Sequence, residues 1–344
     1  MLHQVDKYAI LANCIERWFS NSARDFPWRV QDTPWGRLVC EFMSQQTQIE
    51  RVADRWIQMM ERFPTPQEMA KSDEQDVLSL WQGLGYYRRA KNLKATAEMI
   101  VDVFDGEVPC DIQDLLKLPG VGKYTAGAIA SIAFGYRVPL VDGNVHRVQC
   151  RLFDHRNEST PGKWTWDEAS QFVLACTNPK LCNEGLMELG ATVCTPKSPQ
   201  CCHCPLKSHC LSYKNNSQSE VPPSKKQTPK KHLHHYAVVL ENGNELAFEQ
   251  RSNKGLWAGM WQVPTIESSI ELSTSEVAKE LDISQELKSI GSFTHVLTHR
   301  TIFFKVFCCK SEKECRFNWC SGETIDELPL ASAQRKVLAV HCNA

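Results

Sequence analysis

No uninterrupted apolar run in this sequence is long enough to predict a membrane-spanning helix. The N-terminus, MLHQVDKYAILANCIERWF, carries acidic residues at amphipathic spacing where a secretory leader needs a basic start and a continuous apolar stretch. It predicts a first helix, no signal peptide and a cytoplasmic protein. Internal repeats and long low-complexity tracts are missing too, so the 344 residues read as two or three ordinary globular domains. Net charge is also lacking: at -1 the chain has no overall attraction for a polyanion. A nucleic-acid partner would have to be met by local cations, such as Arg88, Arg89, Lys91 and Lys94, or Lys225, Lys226, Lys230 and Lys231. Both runs equally suit a solvated face or a linker.

Cysteine is not scarce. Most of the sixteen are scattered, but Cys194, Cys201, Cys204 and Cys210 form a C-x6-C-x2-C-x5-C arrangement in a loop rich in Pro, Lys and His. In a reducing compartment four clustered thiols predict metal ligation, by zinc or by iron and sulfide, between which spacing does not choose. Cys202 falls outside the spacing.

The stretch Leu118 to Arg147 organises the rest. Leu118-Pro119-Gly120-Val121-Gly122 is a tight turn between an apolar-periodic segment (Ile112, Leu115, Leu116) and an Ala-rich one (Tyr124 to Phe134), which predicts a helix, a hairpin and a helix. Glycines at Gly120 and Gly122 allow positive φ and a close backbone approach, and the following helix start offers N–H groups to a phosphate. Asp142 follows an extended Val138–Val141 run and opens another helix pattern, as an N-cap or as a placed carboxylate. Upstream, Thr33-Pro34 predicts a helix start, with Glu41 among the apolar positions Leu38, Val39, Phe42 and Met43. Met43-Ser44-Gln45-Gln46-Thr47-Gln48 interrupts it with amides, and Gly83-Leu84-Gly85-Tyr86-Tyr87-Arg88-Arg89 makes a turn able to offer apolar groups to bases and cations to phosphate.

From Ser212 to about Lys231 apolar residues give way to Asn, Ser, Gln, Pro and Lys, a linker. Beyond it Tyr236, Val238 and Leu240 alternate, Asn242-Gly243 predicts a hairpin, Val277 to Leu281 a short helix, Phe293 to Phe307 a strand pair, and Ala331 starts a terminal helix.

Hairpin and Asp142 together resemble the core of the helix-hairpin-helix DNA glycosylase superfamily. Glu-x-Met-x-Gln-Gln-Thr at Glu41–Thr47 is similar to the signature of MutY-type adenine DNA glycosylases, with Ser44 where that family usually has leucine. PWR at Pro27–Arg29, GLGYY, LPGVG, VDGNV and the four cysteines follow in the family's order, and Gly255-Leu256-Trp257 with Trp261-Gln262-Val263-Pro264 resembles its Nudix-like C-terminal domain. Only Glu276 and Glu280 remain of the glutamate helix with which a Nudix hydrolase holds Mg²⁺, which suggests a binding module.

The resemblance implies an all-α helix-hairpin-helix glycosylase core carrying an iron–sulfur loop, joined to an α+β Nudix-like domain. Residues 1–211 would be the glycosylase domain, with a six-helix lobe at about 30–135 and a cluster lobe of 1–29 and 136–211. A linker (212–231) and a lesion-recognition domain (232–344) would follow. It implies a DNA-associated monomer that acts on double-stranded DNA carrying adenine opposite 8-oxoguanine or guanine and hydrolyses the N-glycosidic bond. Glu41 would be the general acid at N7 and activate the water, Asp142 would stabilise the sugar cation, and Tyr124 and Asn144 would orient them. Apolar neighbours would keep Glu41 protonated while the helix start keeps Asp142 ionised. Trp28, Arg29 and Glu184 would surround the expelled adenine, and Gln46, Leu84 and Tyr86 would fill the gap. Gly120 and Gly122 would hold phosphate, Thr298 would read the lesion, and the four cysteines would hold a [4Fe-4S] cluster.

Two rivals stand beside this reading. An endonuclease III-like bifunctional lyase places a Schiff-base lysine where this chain has Tyr124, and the adjacent Lys123 points about 100° away on a helix. A non-catalytic or redox-sensing iron–sulfur DNA-binding protein would need no Glu41 and Asp142 pair.

Overall fold

The first helix expected from the N-terminal pattern runs Gln4–Ser22, and Leu11, Ala12 and Ile15 on its apolar face are fully buried. The computed structural model describes residues 4–225, 229–312 and 316–344; Met1 to His3 and Lys226 of the basic run lie outside the described residues. The chain divides into two units, residues 1–71 with 92–226 and residues 72–91 with 227–344.

The first unit is helical, and its helices start where local chemistry says they should. Thr33 caps Pro34–Ser44 by accepting the Gly36 N–H at 3.0 Å, with proline in the first turn. Nearly all of that helix is buried, Glu41 included. The hairpin is flanked by a single helical turn, Ile112–Leu115, and by Lys123–Ala128, which widens into a π-helical turn at Ile129–Ala133. At Gly120 φ is +80°, so only a glycine sits there without strain, and a Cβ would press on Asn92 and Phe42. Gly122 differs from expectation: its φ is −100°, an ordinary extended value, and open space lies over it. Its smallness leaves room for an approaching ligand but is not needed for the turn.

Packing delivers Asp142. A Cβ at Gly127 would stand 2.3 Å from the Pro139 carbonyl oxygen, so this glycine lets the extended Val138–Val141 run lie directly on the hairpin helix. Asn183 Nδ2 pins the same run by donating to the Val138 carbonyl at 3.0 Å. The run ends at Asp142, the N-cap of Gly143–Phe153.

The second unit holds seven strands among the described residues: β1 (Lys231–Asn242), β2 (Glu245–Gln250), β3 (Trp261–Gln262), β4 (Thr265–Ser268), β5 (Lys288–Val296), β6 (Arg300–Lys310) and β7 (Asn318–Cys320). Their order is β3-β2-β1-β6-β5, with β4 on β1 and β7 on β2. β1 and β6 run parallel, whereas the β1–β2 and β5–β6 pairs are antiparallel. The Asn242-Gly243 hairpin and the terminal helix, Ser332–Cys342, form as expected, so the chain is a helical core joined to an α+β domain. Glu276 acts locally, closing a capping box with Ser273 at the start of Thr274–Glu280.

Candidate active site

Glu41 and Asp142 reach one neighbourhood from different elements of the helical unit. The Glu41 carboxyl is 9 % exposed, and burial pushes it up to about 7. The Tyr124 phenol and the Arg37 guanidinium oppose that rise, while Asp142 and Glu184 add to it. The Tyr124 hydroxyl, on the first turn after the hairpin, also lies 3.4 Å from Met187 Sδ. Lys123, the next residue back, is turned elsewhere, its Nζ 3.9 Å over the Trp166 ring.

Asp142 Oδ1 accepts the Val145 N–H at 2.7 Å, and Oδ2 accepts from Asn144 Nδ2 at 2.8 Å. Both bonds favour the carboxylate, yet burial outweighs them and raises its pKa too. The separation of the two acids is therefore narrower than the helix-start argument implied. Asn144 is fixed from the other side: its Oδ1 accepts from Arg147 at 2.8 Å, and a Cβ at Gly190 would stand 2.5 Å from the Asn144 Cβ. Arg147 and Gly190 were not singled out in the sequence, although the spacing of Asn144 and Arg147 on one helix face could have flagged the first.

Trp28, Arg29 and Glu184 also come together. Trp28 is buried, stacked on Phe26 with centroids 4.7 Å apart and edge-on to Trp56. Arg29 Nε donates to Glu184 at 3.3 Å, and Arg37 Nη1 donates to the same oxygen at 2.9 Å. Arg37 is another omission of the sequence reading. It is 4 % exposed, bonded also to Asp32, and its Nη2 is buried without a hydrogen-bond partner. Glu188 is a fourth, after Arg147, Gly190 and Arg37: Arg24 and Arg29 both donate to it, which lowers its pKa against the cost of burial. An isolated charge would not survive such burial, and the reciprocal pairs are what permit it.

Gln46 is exposed with φ +57°, and Tyr86 is 45 % exposed with φ +47°. Non-glycine residues in this region are strained, and such strain concentrates at functional positions. Leu84 is only 7 % exposed in this state. The expectation of free cations beside it needs correction for three of the four residues. Arg89 is buried and braces the turn by donating to the Leu84 and Gly85 carbonyls at 3.0 and 2.9 Å; Lys91 pairs with Glu74, and Lys94 with Glu98. Arg88 stays exposed. Thr298 is exposed in the loop between β5 and β6, where Leu297 N–H donates to the Arg300 carbonyl at 2.8 Å, and is not a strand residue.

Cys194, Cys201, Cys204 and Cys210 line a single small cavity of about 30 Å³, and Cys202 is exposed outside its lining. Burial pushes the Cys204 thiol up to about 12 and raises that of Cys210. Among the described residues no three His, Cys, Asp or Glu side chains are grouped to hold a single metal ion. Arg151 Nη1 lies 3.5 Å from Cys194 Sγ, and Gln218 Nε2 is 3.9 Å from Cys201 Sγ, donors of the kind that tune metal-bound sulfur.

These features define a helix-hairpin-helix glycosylase. Residues 39–165 match the HhH-GPD superfamily of base excision DNA repair proteins, and residues 235–340 match the NUDIX domain. The first two-thirds resembles two solved structures. A thermostable thymine-DNA glycosylase has TM-score 0.57 and 27 % identity, over 61 % of this chain and 98 % of that one. A non-covalent endonuclease III–DNA complex has TM-score 0.53 and 26 % identity, over 63 % and 100 %. The adenine DNA glycosylase of Buchnera aphidicola subsp. Schizaphis graminum is 31 % identical over 96 % of this chain and 98 % of its own length. That of Rattus norvegicus is 31 % identical over 94 % and 76 %, and that of Mycobacterium tuberculosis 42 % identical over 61 % and 70 %. The chain belongs to the MutY-type adenine DNA glycosylases, enzymes of base excision repair. No helix among the described residues is long and apolar enough to cross a membrane.

Proposed function

We propose that this enzyme removes adenine mispaired with 8-oxoguanine, or more slowly with guanine, by hydrolysis at a flipped-out nucleotide. The observation that carries the reading is Glu41, an enclosed carboxyl raised to about 7 beside a second, partly enclosed carboxyl, Asp142. An acid with a pKa near the working pH donates a proton efficiently and can then act as base.

Extruding the base costs roughly a few kcal/mol in stacking and pairing, offset as Gln46, Leu84 and Tyr86 enter the gap and Gly120 to Gly122 grip phosphate. The adenine is received beside Trp28, Arg29 and Glu184. Glu41 protonates N7, so the base leaves neutral, and Asp142 faces the oxocarbenium ion that forms as the C1′–N9 bond breaks. Tyr124 and Asn144 hold the two carboxyls in place. Glu41, now ionised, takes a proton from the water that attacks C1′. Tyr124 has no amine, so the strand is left intact with an abasic site. Residues 1–211 do this work as a monomer, residues 212–231 link, and residues 232–344 read the opposite base through Thr298.

Cys194, Cys201, Cys204 and Cys210 would hold a [4Fe-4S] cluster, which would supply a cross-link of their loop and one-electron chemistry. The Cys204 and Cys210 protons would be displaced on loading.

The test is base release from duplexes carrying A, C or T opposite guanine and 8-oxoguanine. Release of adenine alone, fastest opposite 8-oxoguanine, is expected; release of damaged pyrimidines with strand cleavage would favour the lyase.

A further inference from the structure

The turn that carries Leu84 and Tyr86 is held at both ends by other parts of the second unit. At its root, Gln82 uses both ends of its amide: Oε1 accepts from Arg335 Nη2 at 2.6 Å and Nε at 3.1 Å, and Nε2 donates to the Leu328 carbonyl at 2.9 Å. Arg335 lies on the terminal helix. Ser79 adds a bond to the Glu327 carbonyl at 3.3 Å, and Gln75 one to the Gly259 carbonyl at 3.3 Å. At its tip, the Tyr86 hydroxyl shares a hydrogen bond with Thr298 Oγ1. Between the two lie Gly83 and Gly85, at φ +87° and +69°, neither with a neighbour that a Cβ would meet. Arg89 holds the Leu84 and Gly85 carbonyls from within, so the turn keeps its shape, while the two glycines let it swing about its root unless something outside fixes its position.

We propose that Gln82 and Arg335 are positioning residues that tie this turn to the terminal helix, so that the residues filling the gap and the hydroxyl reading the opposite base act as one body. This rests on the reading of Tyr86 and Thr298 given above. A hydroxyl has one proton and two lone pairs, so Thr298, when it donates to Tyr86, has its lone pairs left for another donor. 8-Oxoguanine presents N–H at N7, whereas guanine presents an acceptor there. Loosening the root of the turn frees its tip and blurs that distinction, although neither Gln82 nor Arg335 touches a base.

The experiment is a double-mutant cycle on the full chain with Arg335→Ala and Thr298→Val. Its readout is the ratio of kcat/KM for adenine release opposite 8-oxoguanine and opposite guanine. Arg335→Ala is expected to lower the ratio about two- to tenfold, the worth of one or two hydrogen bonds. The change should fall on KM, with the melting temperature unchanged and partial recovery in Arg335→Lys. Because both substitutions break one coupled unit, the double variant should discriminate no worse than the poorer single variant. An unchanged ratio in Arg335→Ala, or effects that multiply in the double variant, would overturn the proposal. Hydrogen exchange tests the clasp without any reaction: the amides of residues 83–87 should exchange several times faster in Arg335→Ala. Unchanged exchange there overturns the clasp even in a chain that releases no adenine, and absent release would by itself count against the assigned function alone.

Discussion

Replacing Glu41 by glutamine should make the enzyme more stable and nearly inactive, with the gain in stability appearing only at higher pH. The carboxyl is raised from 4.5 to about 7 in the folded chain. The folded state therefore holds the proton more tightly than the unfolded state. Below pH 4.5 both states are protonated and burial carries no ionisation penalty. As pH rises toward 7 the unfolded chain ionises freely, the enclosed carboxyl does not, and stability falls. At 1.36 kcal/mol per pKa unit, the full penalty above pH 7 is roughly 3 kcal/mol. Glutamine keeps the shape and cannot ionise, so Glu41→Gln should melt with the parent near pH 4.5 and about 5–10 °C above it near pH 8, on the scale for a domain of this size. Without a transferable proton, adenine release should drop by at least about 10²-fold, while a mispaired duplex is still bound. In the parent, release should fall as pH rises through about 7. Melting curves at the two pH values and single-turnover release test both halves. A stability difference that does not grow with pH, or release within tenfold of the parent, would refute the assignment of Glu41 as the buried acid.

Three further outcomes are expected. Borohydride should trap no covalent complex through the hairpin, because Lys123 lies on the Trp166 ring and Tyr124 has no amine; efficient trapping would restore the lyase. Purified protein should be brown with four irons and four sulfides per chain, Cys202→Ser should change neither, and zinc without iron on elemental analysis would remove the cluster. His235 is fully buried with neither ring nitrogen hydrogen-bonded and Glu267 Oε1 3.9 Å from Nε2; burial outweighs that carboxylate and lowers its pKa from 6.5 to about 4, so its contribution to stability is present above pH 6.5 and lost as pH falls toward 4. His235→Phe should abolish that acid loss, roughly 3 kcal/mol, without destabilising at pH 7; an unchanged acid limb in melting curves would contradict it.

What the sequence disclosed is what local chemistry decides. Thr33 and Asp142 cap the helices that their neighbours predicted, Gly120 sits at positive φ, and Asn242-Gly243 closes its hairpin. What it concealed depends on direction and on long-range meeting. A run containing Arg89, Lys91 and Lys94 looks like a cationic surface on paper, yet each spends its charge inside the fold. Arg37 and Glu188 matter because helices far apart in sequence bring them onto Glu184 and Arg29. Arg151 reaches Cys194 from 43 residues away, a distance that no spacing motif encodes. Nothing in Ser72–Lys91 reveals that it belongs with the second unit, since its bonds to Gly259, Glu327 and Leu328 use side-chain amides and hydroxyls common on any exposed helix.

With both carboxyls raised by burial, the proposed chemistry turns on which of them holds a proton. Asp142 adds to the rise at Glu41, and the hydrogen-bond donors around each carboxyl decide which ionises first. Asp142 has a backbone N–H at 2.7 Å and the Asn144 amide at 2.8 Å, and Arg147 helps from further off. Glu41 has the Tyr124 phenol and, at greater range, Arg37. In the mechanism we propose, the proton resides on Glu41, where N7 needs it, and the negative charge on Asp142, where the sugar cation needs it. Asn144→Ala should disturb this order without touching Glu41. Asp142 would lose one of its two close side-chain and backbone donors and hold a proton more readily. Relative to the parent, release should slow at the acid end of the pH range, where Asp142 takes up a proton, and recover as pH rises and it ionises, while duplex binding stays unchanged. The alanine cavity costs stability equally at both pH values, so the recovery isolates the electrostatic role from the structural one. A uniform slowing at all pH values would show that Asn144 only packs against Gly190, and that the order of ionisation is set elsewhere.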